Sequence, residues 1–366
     1  MTANLTPLAA SLPATVPFVG PETQERALGR PFRARLGANE SMFGPSPFAI
    51  AAMQTAATEV WMYGDPENHD LKYALARHHG MAPGNIVVGE GIDGLLGYLV
   101  RLLVTPGDTV VTSLGAYPTF NFHVAGCGGN LIRVPYRGNF ADPDALLGAA
   151  RAHQAKLIYL SNPDNPMGSH HAASVINTMI DGLPAGCLLV LDEAYVDLAP
   201  PDTAANVAAD DPRVIRMRTF SKAYGLAGLR VGYAMAAPDL AQAFDKLRNH
   251  FGVGRVAQAG ALAALHDPAH IGHVRHLNAT SRLRLIQIAA DNGITALPSA
   301  TNFTCLDLGR DGDFSRATLR ALTGLGVFVR MPGVAPHDRC IRVSHGVPDA
   351  MDIFADALPR ALKSAG

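Results

Sequence analysis

Short apolar runs of strand length alternate with helical segments along much of this chain. The runs are rich in Val, Ile and Leu, and we predict a strand at each: 85–89, 109–113, 131–134, 156–160, 188–191, 214–217 and 230–235. Ala- and Leu-rich segments of helical period, such as 93–103, 144–153 and 174–181, separate several of them. Strands that are apolar on both faces belong to a mostly parallel sheet, because the crossover helices cover both sides. The pattern therefore predicts an α/β fold.

The pattern changes after residue 238. Residues 239–292 form one long helical stretch, and shorter strands with polar content follow at 301–308, 327–330 and 340–344. Helices follow Asp313 and Asp349, so this part predicts a smaller α+β unit. Residues 1–30 are rich in Pro and Ala without a clear period, and we interpret them as an N-terminal arm.

The composition excludes several classes of protein. The 366 residues include 30 Lys and Arg against 31 Asp and Glu, whereas nucleic-acid-binding proteins usually have a basic excess. A hydrophobic content of 48% argues against disorder. We find no membrane span and no signal peptide in the sequence. The four cysteines, Cys127, Cys187, Cys305 and Cys340, are scattered without a CxxC spacing, which favours reduced thiols in a cytoplasmic protein.

A lysine with distinctive neighbours lies between two predicted strands, in the segment TFSKAYGLAGLRVG (219–232). Most lysines are simply exposed, but Lys222 follows the hydroxyl of Ser221 and precedes Arg230 by eight residues. We expect Arg230 just inside an apolar strand, where a lone guanidinium is costly to bury. A lysine, a hydroxyl and an arginine together suit a Schiff base to an aldehyde cofactor and neutralisation of its phosphate.

Polar residues also follow other strands at their carboxyl ends, where open α/β sheets bind ligands. Asp192 is interpreted as a loop or capping acid, as a Mg²⁺ ligand beside Glu193, or as the partner of a protonated pyridine nitrogen. Tyr195 and Asn165 can hydrogen-bond the phenolic oxygen of the same ring, although Asn165 lies in a turn-forming segment. Tyr117 either packs in the core or lies flat on an aromatic cofactor.

Two further patterns suggest other functions. The segment GEGIDG (89–94) matches the dinucleotide-binding pattern of an oxidoreductase, but it does not open the chain and leaves Lys222 and Asp192 unexplained. Amides at a helix N-terminus bind a phosphate whichever molecule carries it. His266, His270, His273 and His276 share a helical spacing. Pro268 interrupts them and no carboxylate or thiol joins them, so we expect a solvated helix face rather than a metal site.

Taken together, these segments resemble the class I/II aminotransferases of the fold-type I pyridoxal-phosphate enzymes, and among them the histidinol-phosphate aminotransferase family. From about Arg33 to Leu362 the matching segments occur in family order: LGANES (36–41), YGDP (63–66), GEGID (89–93), AYPTF (116–120), NPDNPMG (162–168), DEAY (192–195), SKAYGLAGLRVGY (221–233) and IRVSHG (341–346). The resemblance implies a mainly parallel seven-stranded sheet sandwiched by helices. It further implies a large cofactor-binding domain over 46–269 and a small domain made of 31–45 and 270–366.

The resemblance also assigns roles to the candidate residues, with pyridoxal 5′-phosphate as cofactor. Lys222 forms the Schiff base and moves a proton at the substrate Cα, Asp192 pairs with the ring nitrogen, and Tyr195 holds the phenolic oxygen. The residues expected to bind the cofactor are Ile92, Asp93, Tyr117, Asn165, Asp192, Tyr195, Ser221, Lys222 and Arg230, with Tyr63 reaching across from the partner subunit of a homodimer. Arg342 is expected to bind the substrate, with Arg330 and Asn39.

The implied reaction moves an amino group from a donor to a 2-oxo acid such as 2-oxoglutarate. The resemblance favours histidinol phosphate as the donor and an aromatic amino acid second. The clustered cations suit a negatively charged substrate. A threonine-phosphate-type decarboxylase and a non-enzymatic binding protein are the alternatives. Gly37, Met42 and His345 depart from the family pattern, in segments expected to line the substrate pocket. The charged fraction of 17% is low, and we expect a large apolar interface between subunits.

Overall fold

The apolar runs between residues 86 and 235 form one sheet of seven strands in the computed structural model, which describes residues 4–14 and 19–366. Its strands are β2 (Ile86–Gly89), β3 (Thr109–Ser113), β4 (Asn130–Val134), β5 (Leu157–Ser161), β6 (Leu188–Asp192), β7 (Val214–Thr219) and β8 (Gly232–Met235). They lie in the order β2-β8-β7-β6-β5-β3-β4. Strands β3 to β7 pair in parallel, while β8 is antiparallel to both β2 and β7. The prediction of a mainly parallel seven-stranded sheet is confirmed.

Helices cover both faces of this sheet, because successive residues of each strand point to opposite sides. The helices up to residue 265 are α1 (Pro7–Ser11), α2 (Pro21–Leu28), α3 (Pro47–Ala57), α4 (His69–His79), α5 (Gly91–Leu103), α6 (Pro118–Gly126), α7 (Pro143–Ala152), α8 (Ala173–Asp181), α9 (Pro238–Ala243) and α10 (Arg255–Leu265). Val110 and Tyr159 pack with α5 and α6, whereas Val111 and Ile158 pack with α7 and α8. The prediction that helices sandwich the sheet is confirmed.

A second, smaller assembly follows. It contains α11 (Pro268–Asp291), α12 (Gly312–Gly324) and α13 (Pro348–Ala365), with β1 (Ala34–Arg35), β9 (Thr295–Ala296), β10 (Phe303–Asp307), β11 (Val327–Phe328) and β12 (Cys340–Ser344). β12-β10-β9 form an antiparallel sheet, and β1 pairs in parallel with β11. Helix α11 packs against the core of the large-sheet part through Ile271 and against the core of the smaller assembly through Leu285. Contacts of α11 with the large part therefore continue beyond the expected boundary at residue 270. The domain limits stay a prediction.

Two local predictions are wrong. Arg230 does not lie in a strand: it follows a 3₁₀ turn over Ala227–Leu229, its φ is 56°, and half of its side chain is exposed. The expected helical stretch over 239–292 is interrupted, since residues 247–254 lie outside any helix and Asp267 caps α11. Both errors arise at turns that contain glycine: Gly225 and Gly228 precede Arg230, and Gly252 and Gly254 lie in the interruption.

The N-terminal segment is only partly described. Residues 1–3 and 15–18 of the expected arm (1–30) lie outside the described residues. The same residues belong to the segment in which we find no signal peptide, so that expectation also falls partly outside the described residues. Helix α2 is tied to the following chain, because the Glu25 carboxylate accepts hydrogen bonds from Phe32 N and from the Arg35 side chain. Among the described residues, no helix has both the length and the apolar character needed to span a membrane.

Candidate active site

A cavity of about 810 Å³ opens where the parallel strands end, and its other wall belongs to the smaller assembly. Every candidate residue except Tyr63 lines it: Asn39, Ile92, Asp93, Tyr117, Asn165, Asp192, Tyr195, Ser221, Lys222, Arg230, Arg330 and Arg342. Asp192 ends β6, and Lys222 lies in the loop between β7 and β8. Residues far apart in the chain therefore meet at the carboxyl edge of the sheet, as open α/β folds predict.

Lys222 is held as a nucleophile would be. Its Nζ donates a hydrogen bond of 3.0 Å to the Asn39 carbonyl and lies 5.7 Å from the centre of the Tyr195 ring. Burial, and then the positive charge of Arg342, lower the pKa of Lys222 to about 8. A larger share of neutral amine at neutral pH favours attack on a carbonyl carbon.

Asp192 is a buried carboxylate with two fixed hydrogen bonds. Its Oδ2 accepts the Tyr159 hydroxyl at 2.6 Å, and its Oδ1 accepts the Ala194 amide at 2.9 Å. Burial raises the pKa of Asp192 to about 6. A cationic ring nitrogen placed against this carboxylate would reverse that effect, because an opposite charge favours ionisation.

Tyr195 receives hydrogen bonds at its hydroxyl oxygen from two amides. Asn39 Nδ2 lies 3.0 Å away and Asn165 Nδ2 lies 3.4 Å away. Burial raises the pKa of Tyr195 to about 12, so its hydroxyl remains a proton donor at neutral pH. Asn39 has a φ of 55°, a left-handed conformation that Asn tolerates, and this directs its carbonyl to Lys222 while its amide reaches Tyr195.

The first turn of α5, Ser221 and Arg230 form a concave cradle. Arg230 Nη1 lies 3.3 Å from the Ser221 hydroxyl, and Ile92 and Asp93 belong to the helix start, where amides lack intrahelical partners. Gly91 has a φ of 77°, and a Cβ there would lie 2.5 Å from Arg230 Nη2. A Cβ at Gly232 would lie 2.9 Å from Ile92 N. These glycines keep open a site with the chemistry of a phosphate cradle.

Arg342 faces the cavity from β12. Its guanidinium donates to Asn165 Oδ1 and, at 3.3 Å, to the Gly37 carbonyl. Its buried Nε has no hydrogen-bond partner in the described part of the chain. Arg330 forms a backbone bridge with Arg342, and its own Nη2 donates to the Val19 carbonyl at 2.9 Å. An anion suits this end of the cavity, because a buried donor without a partner is costly.

Tyr63 lies outside the cavity of its own chain. Its side chain is 78% exposed, and its ring centre is 4.7 Å from that of Phe251. Tyr117 lines the cavity, and its hydroxyl is 3.4 Å from Asp93 Oδ2. Burial and the neighbouring Asp93 raise the pKa of Tyr117.

The expectation that His345 and Met42 lie in the wall of the substrate pocket is wrong. His345 is fully buried behind the cavity, between Thr304 and Asn278, and Met42 packs against the core of the smaller assembly. Among these departures, Gly37 does line the cavity.

The alternative patterns do not form the sites they suggested. GEGIDG follows β2, which is the antiparallel edge strand of the sheet, whereas the dinucleotide fingerprint requires a parallel βαβ unit. The described residues contain no cluster of three or more potential metal ligands, and three of the four spaced histidines are exposed.

Sequence reasoning missed Tyr159 and Asp164. Tyr159 lies between the aliphatic residues Ile158 and Leu160 of β5, which signals that its hydroxyl needs a buried partner, here Asp192. Asp164 accepts the Tyr136 hydroxyl and the Met167 amide, each at 2.8 Å, and so fixes the loop that presents Asn165. Burial raises the pKa of Asp164 to about 7.

A buried lysine of lowered pKa, a buried aspartate and a phosphate cradle at one edge of an α/β sheet define an enzyme class. They are the parts of a lysine-anchored pyridoxal-phosphate enzyme of fold type I. The aminotransferase class I and II family matches residues 34–358, and the chain belongs to that family.

Curated relatives and a solved structure extend the assignment. The histidinol-phosphate aminotransferase of Moorella thermoacetica is 35% identical over 96% of this chain and 91% of its own length. The histidinol-phosphate aminotransferase of Anaeromyxobacter sp. strain Fw109-5 is 36% identical over 97% of this chain and 98% of its own length. The crystal structure of histidinol-phosphate aminotransferase from Sinorhizobium meliloti, in complex with pyridoxal 5′-phosphate, is 52% identical, with a TM-score of 0.97 over 100% of this chain and 99% of that one. The chain is a pyridoxal-phosphate-dependent aminotransferase, and the decarboxylase and oxidoreductase alternatives are not favoured.

The residues present fit this cofactor. The unpartnered Arg342 Nε and the cradle that a Cβ at Gly91 would fill both leave room for anionic groups. When bound, pyridoxal phosphate accepts the electron pair released from the substrate Cα. Lys222 Nζ would then serve as a base, Asp192 as an anion and the Tyr195 hydroxyl as a hydrogen-bonding group.

Proposed function

We propose that the chain transfers the amino group of histidinol phosphate to 2-oxoglutarate or a similar 2-oxo acid. Its curated relatives are named for this donor. The observation that carries the proposal is the cation content of the cavity: Lys222, Arg230, Arg330 and Arg342 line it together. Arg230 serves the cofactor phosphate, whereas Arg330 and Arg342 suit a substrate with a negative charge of its own.

The proposed roles follow from position. Lys222 Nζ holds the cofactor and takes the proton from the substrate Cα, and its lowered pKa supports the basic role. Asp192 pairs with the ring nitrogen, and Tyr195, with Asn165 and Asn39 around its hydroxyl, holds the phenolic oxygen. Tyr117 covers the ring, and Ile92, Asp93, Ser221 and Arg230 bind its phosphate. Arg342 binds the substrate anion with help from Arg330 and Asn39.

We also propose a cytoplasmic homodimer in which Tyr63 serves the partner's site. Exposed apolar side chains at Tyr63 support this arrangement: Trp61, two residues before it, is 81% exposed, and Phe251, which its ring contacts, is 50% exposed. Contiguous exposed apolar surface is typical of a protein interface. Four free thiols, three of them buried, suit a reducing compartment. The domain division 31–45 and 270–366 against 46–269 is part of the proposal.

A panel of amino donors tests the function. The holoenzyme is assayed for glutamate production from 2-oxoglutarate with histidinol phosphate, histidinol, phenylalanine, tyrosine and aspartate as donors. We expect histidinol phosphate to give the highest kcat/KM, and aromatic amino acids to follow. A holoenzyme that prefers an aromatic amino acid or aspartate over histidinol phosphate would contradict the proposal. Lys222→Ala is the control, because turnover that survives it would come from a contaminant.

A further inference from the structure

Two polar side chains that line the cavity have no part in the roles given above. Arg133 is the last residue but one of β4, the strand at the edge of the large sheet, and Asn121 lies in α6, four residues after Tyr117. Helix α6 packs against β4, so both residues belong to the same wall of the cavity.

The register of β4 explains why Arg133 faces the cavity. Arg133 pairs with Thr112 of β3, and Leu131 before it packs with the cluster beneath α5 and α6. Ile132 and Val134 pack on the opposite face of the sheet. Because residues two apart share a face, Arg133 lies on the same side of the sheet as Ser161 and Asp192, which also line the cavity.

The charge of Arg133 is not neutralised by a neighbour. In the described part of the chain, no carboxylate lies within ion-pair distance of it, although other exposed arginines, such as Arg137 and Arg213, have such partners. Among the described residues, three acids line the cavity. Asp192 is held by Tyr159, Asp93 lies 4.0 Å from Arg230, and the charge of Glu40 acts on Lys222. The Arg133 wall of the cavity therefore attracts anions.

Asn121 adds an unsatisfied polar atom to the same wall. Its Oδ1 is buried and has no hydrogen-bond partner in residues 4–14 and 19–366. Buried polar atoms are nearly always paired, so an orphaned one in a cavity wall indicates a missing partner. The amide can present either its oxygen or its nitrogen to that partner.

Distance along the sheet separates this wall from the reacting groups. In the order β6-β5-β3-β4, β4 is three strands from Asp192, which is roughly 14 Å at the usual strand spacing. A ligand held at Lys222 and Asp192 meets Arg133 only if it is extended and has its charge at the far end. A small monocarboxylate does not meet that requirement.

We propose that Arg133, with Asn121 beside it, binds the side-chain carboxylate of the 2-oxo acid acceptor and so determines specificity. The phosphate of the donor is not this ligand, because it is attached to the carbon next to the one that carries the reacting amine and so lies at the Arg342 end. The proposal rests on the proposed function and adds a residue to it: Arg342 and Lys222 hold the reacting end, and Arg133 selects for charge at the other end.

Matched substrate pairs test this, with each half-reaction of the holoenzyme measured separately. The donor pair is histidinol phosphate and histidinol, and the acceptor pair is 2-oxoglutarate and 2-oxopentanoate. Arg133→Gln should lower kcat/KM about tenfold for 2-oxoglutarate, the size of a partly exposed charged hydrogen bond. It should leave 2-oxopentanoate, which lacks the side-chain carboxylate, and both donors unchanged, and Arg133→Lys should keep most of the preference for 2-oxoglutarate. A loss for histidinol phosphate relative to histidinol would place the donor's phosphate at Arg133 and overturn the proposal.

Two controls separate the outcomes. Arg101→Gln changes an exposed arginine of α5 outside the cavity and should affect no substrate. Asn121→Ala combined with Arg133→Gln should lose less than the product of the single losses, because residues that bind one group are not additive. Equal effects on 2-oxoglutarate and 2-oxopentanoate, or fully additive losses, would overturn the inference. If the wild type accepts neither histidinol phosphate nor histidinol, the proposed function fails, and the acceptor pair with the best donor still decides the role of Arg133.

Discussion

Burial shifts the two central ionisable groups in opposite directions at the scale of single residues. It raises the pKa of Asp192 to about 6 and lowers that of Lys222 to about 8, so both shifts favour the neutral form. The neutral amine of Lys222 is the form that attacks an aldehyde. The role proposed for Asp192 requires the anion, and a positive ring nitrogen beside the carboxylate would favour that form.

The lowered pKa of Lys222 predicts a pH dependence for cofactor attachment. The neutral amine attacks the aldehyde, so the rate at which apoenzyme takes up pyridoxal phosphate should rise with pH and level off above about 8. Arg342→Gln removes a positive neighbour, which favours the protonated amine and should move the midpoint to higher pH. Stopped-flow absorbance measures both midpoints. A wild-type midpoint near 10.4, that of an ordinary lysine, would contradict the description of the site.

The Asp192 carboxylate is expected to be essential for turnover. Asp192→Ala should weaken cofactor binding and lower kcat on the order of a hundredfold or more, as removal of a buried electrostatic partner does. Steady-state kinetics at saturating cofactor separate the two effects. Asp144→Ala, at a carboxylate that is 84% exposed, is the matched control and should leave both unchanged. Near-normal turnover of the Asp192 variant would disprove its assigned role.

Residue types at strand ends could be predicted from the sequence, but their partners could not. Lys222, Asp192 and Tyr195 lie in short motifs that fix their position relative to a strand. Arg133 lacks such a motif, because its function depends on the register of β4 with β3. His345 follows the cavity-facing strand so closely that its burial behind the wall is evident only from the contacts with Asn278 and Thr304.

At the scale of elements, the junction of β2, α5 and β8 determines the phosphate cradle. Gly91 opens α5 in a left-handed conformation, and a side chain there would meet Arg230. Gly91→Ala should cost the apoenzyme about 1–2 kcal/mol in the free energy of unfolding. It should also weaken cofactor binding, because Arg230 must move. Denaturant unfolding and a fluorescence titration with pyridoxal phosphate measure these effects.

The matched change for Gly91 lies within a helix. Gly148 is in the middle of α7, and a Cβ there meets nothing within 4 Å. Gly148→Ala should stabilise the protein by about 0.5–1 kcal/mol, since alanine is favoured over glycine in a helix interior, and should leave cofactor affinity unchanged. If Gly91→Ala bound the cofactor as tightly as Gly148→Ala, the cradle would not be the phosphate site.

The limits of the strands in the large sheet could be predicted from the sequence, but the order of the strands could not. Apolar runs predicted β3 to β8 within one or two residues, because buried parallel strands are continuously hydrophobic. The position of β8 between β2 and β7 depends on contacts between residues far apart in the chain, and no local pattern encodes them. The apolar segment around Arg230 predicts a position in β8, whereas the preceding turn places Arg230 in the cradle.

At the scale of the whole molecule, the account predicts active sites shared between two subunits. Lys222→Ala and Tyr63→Ala should each be nearly inactive alone. When the two variants are mixed and allowed to exchange subunits, half of the dimers become hybrids. In each hybrid one of the two sites is intact, because it combines Lys222 of one subunit with Tyr63 of the other. About a quarter of wild-type activity should return. Two Lys222→Ala preparations mixed with each other serve as the control and should recover nothing.

Ultracentrifugation during dilution completes the test of shared sites. The exposed apolar side chains of Phe48, Trp61 and Tyr63 predict that dissociation abolishes activity. A fully active monomer, or hybrids without recovered activity, would contradict the shared site.

The most direct test of the central claim is covalent labelling of the holoenzyme. Cofactor-saturated protein is reduced with borohydride, digested and analysed by peptide mass spectrometry. The account predicts a pyridoxyl group on Lys222 and on no other lysine, because Lys222 is the lysine that lines the cavity of the described chain. An unmodified Lys222 in cofactor-saturated protein would contradict the account.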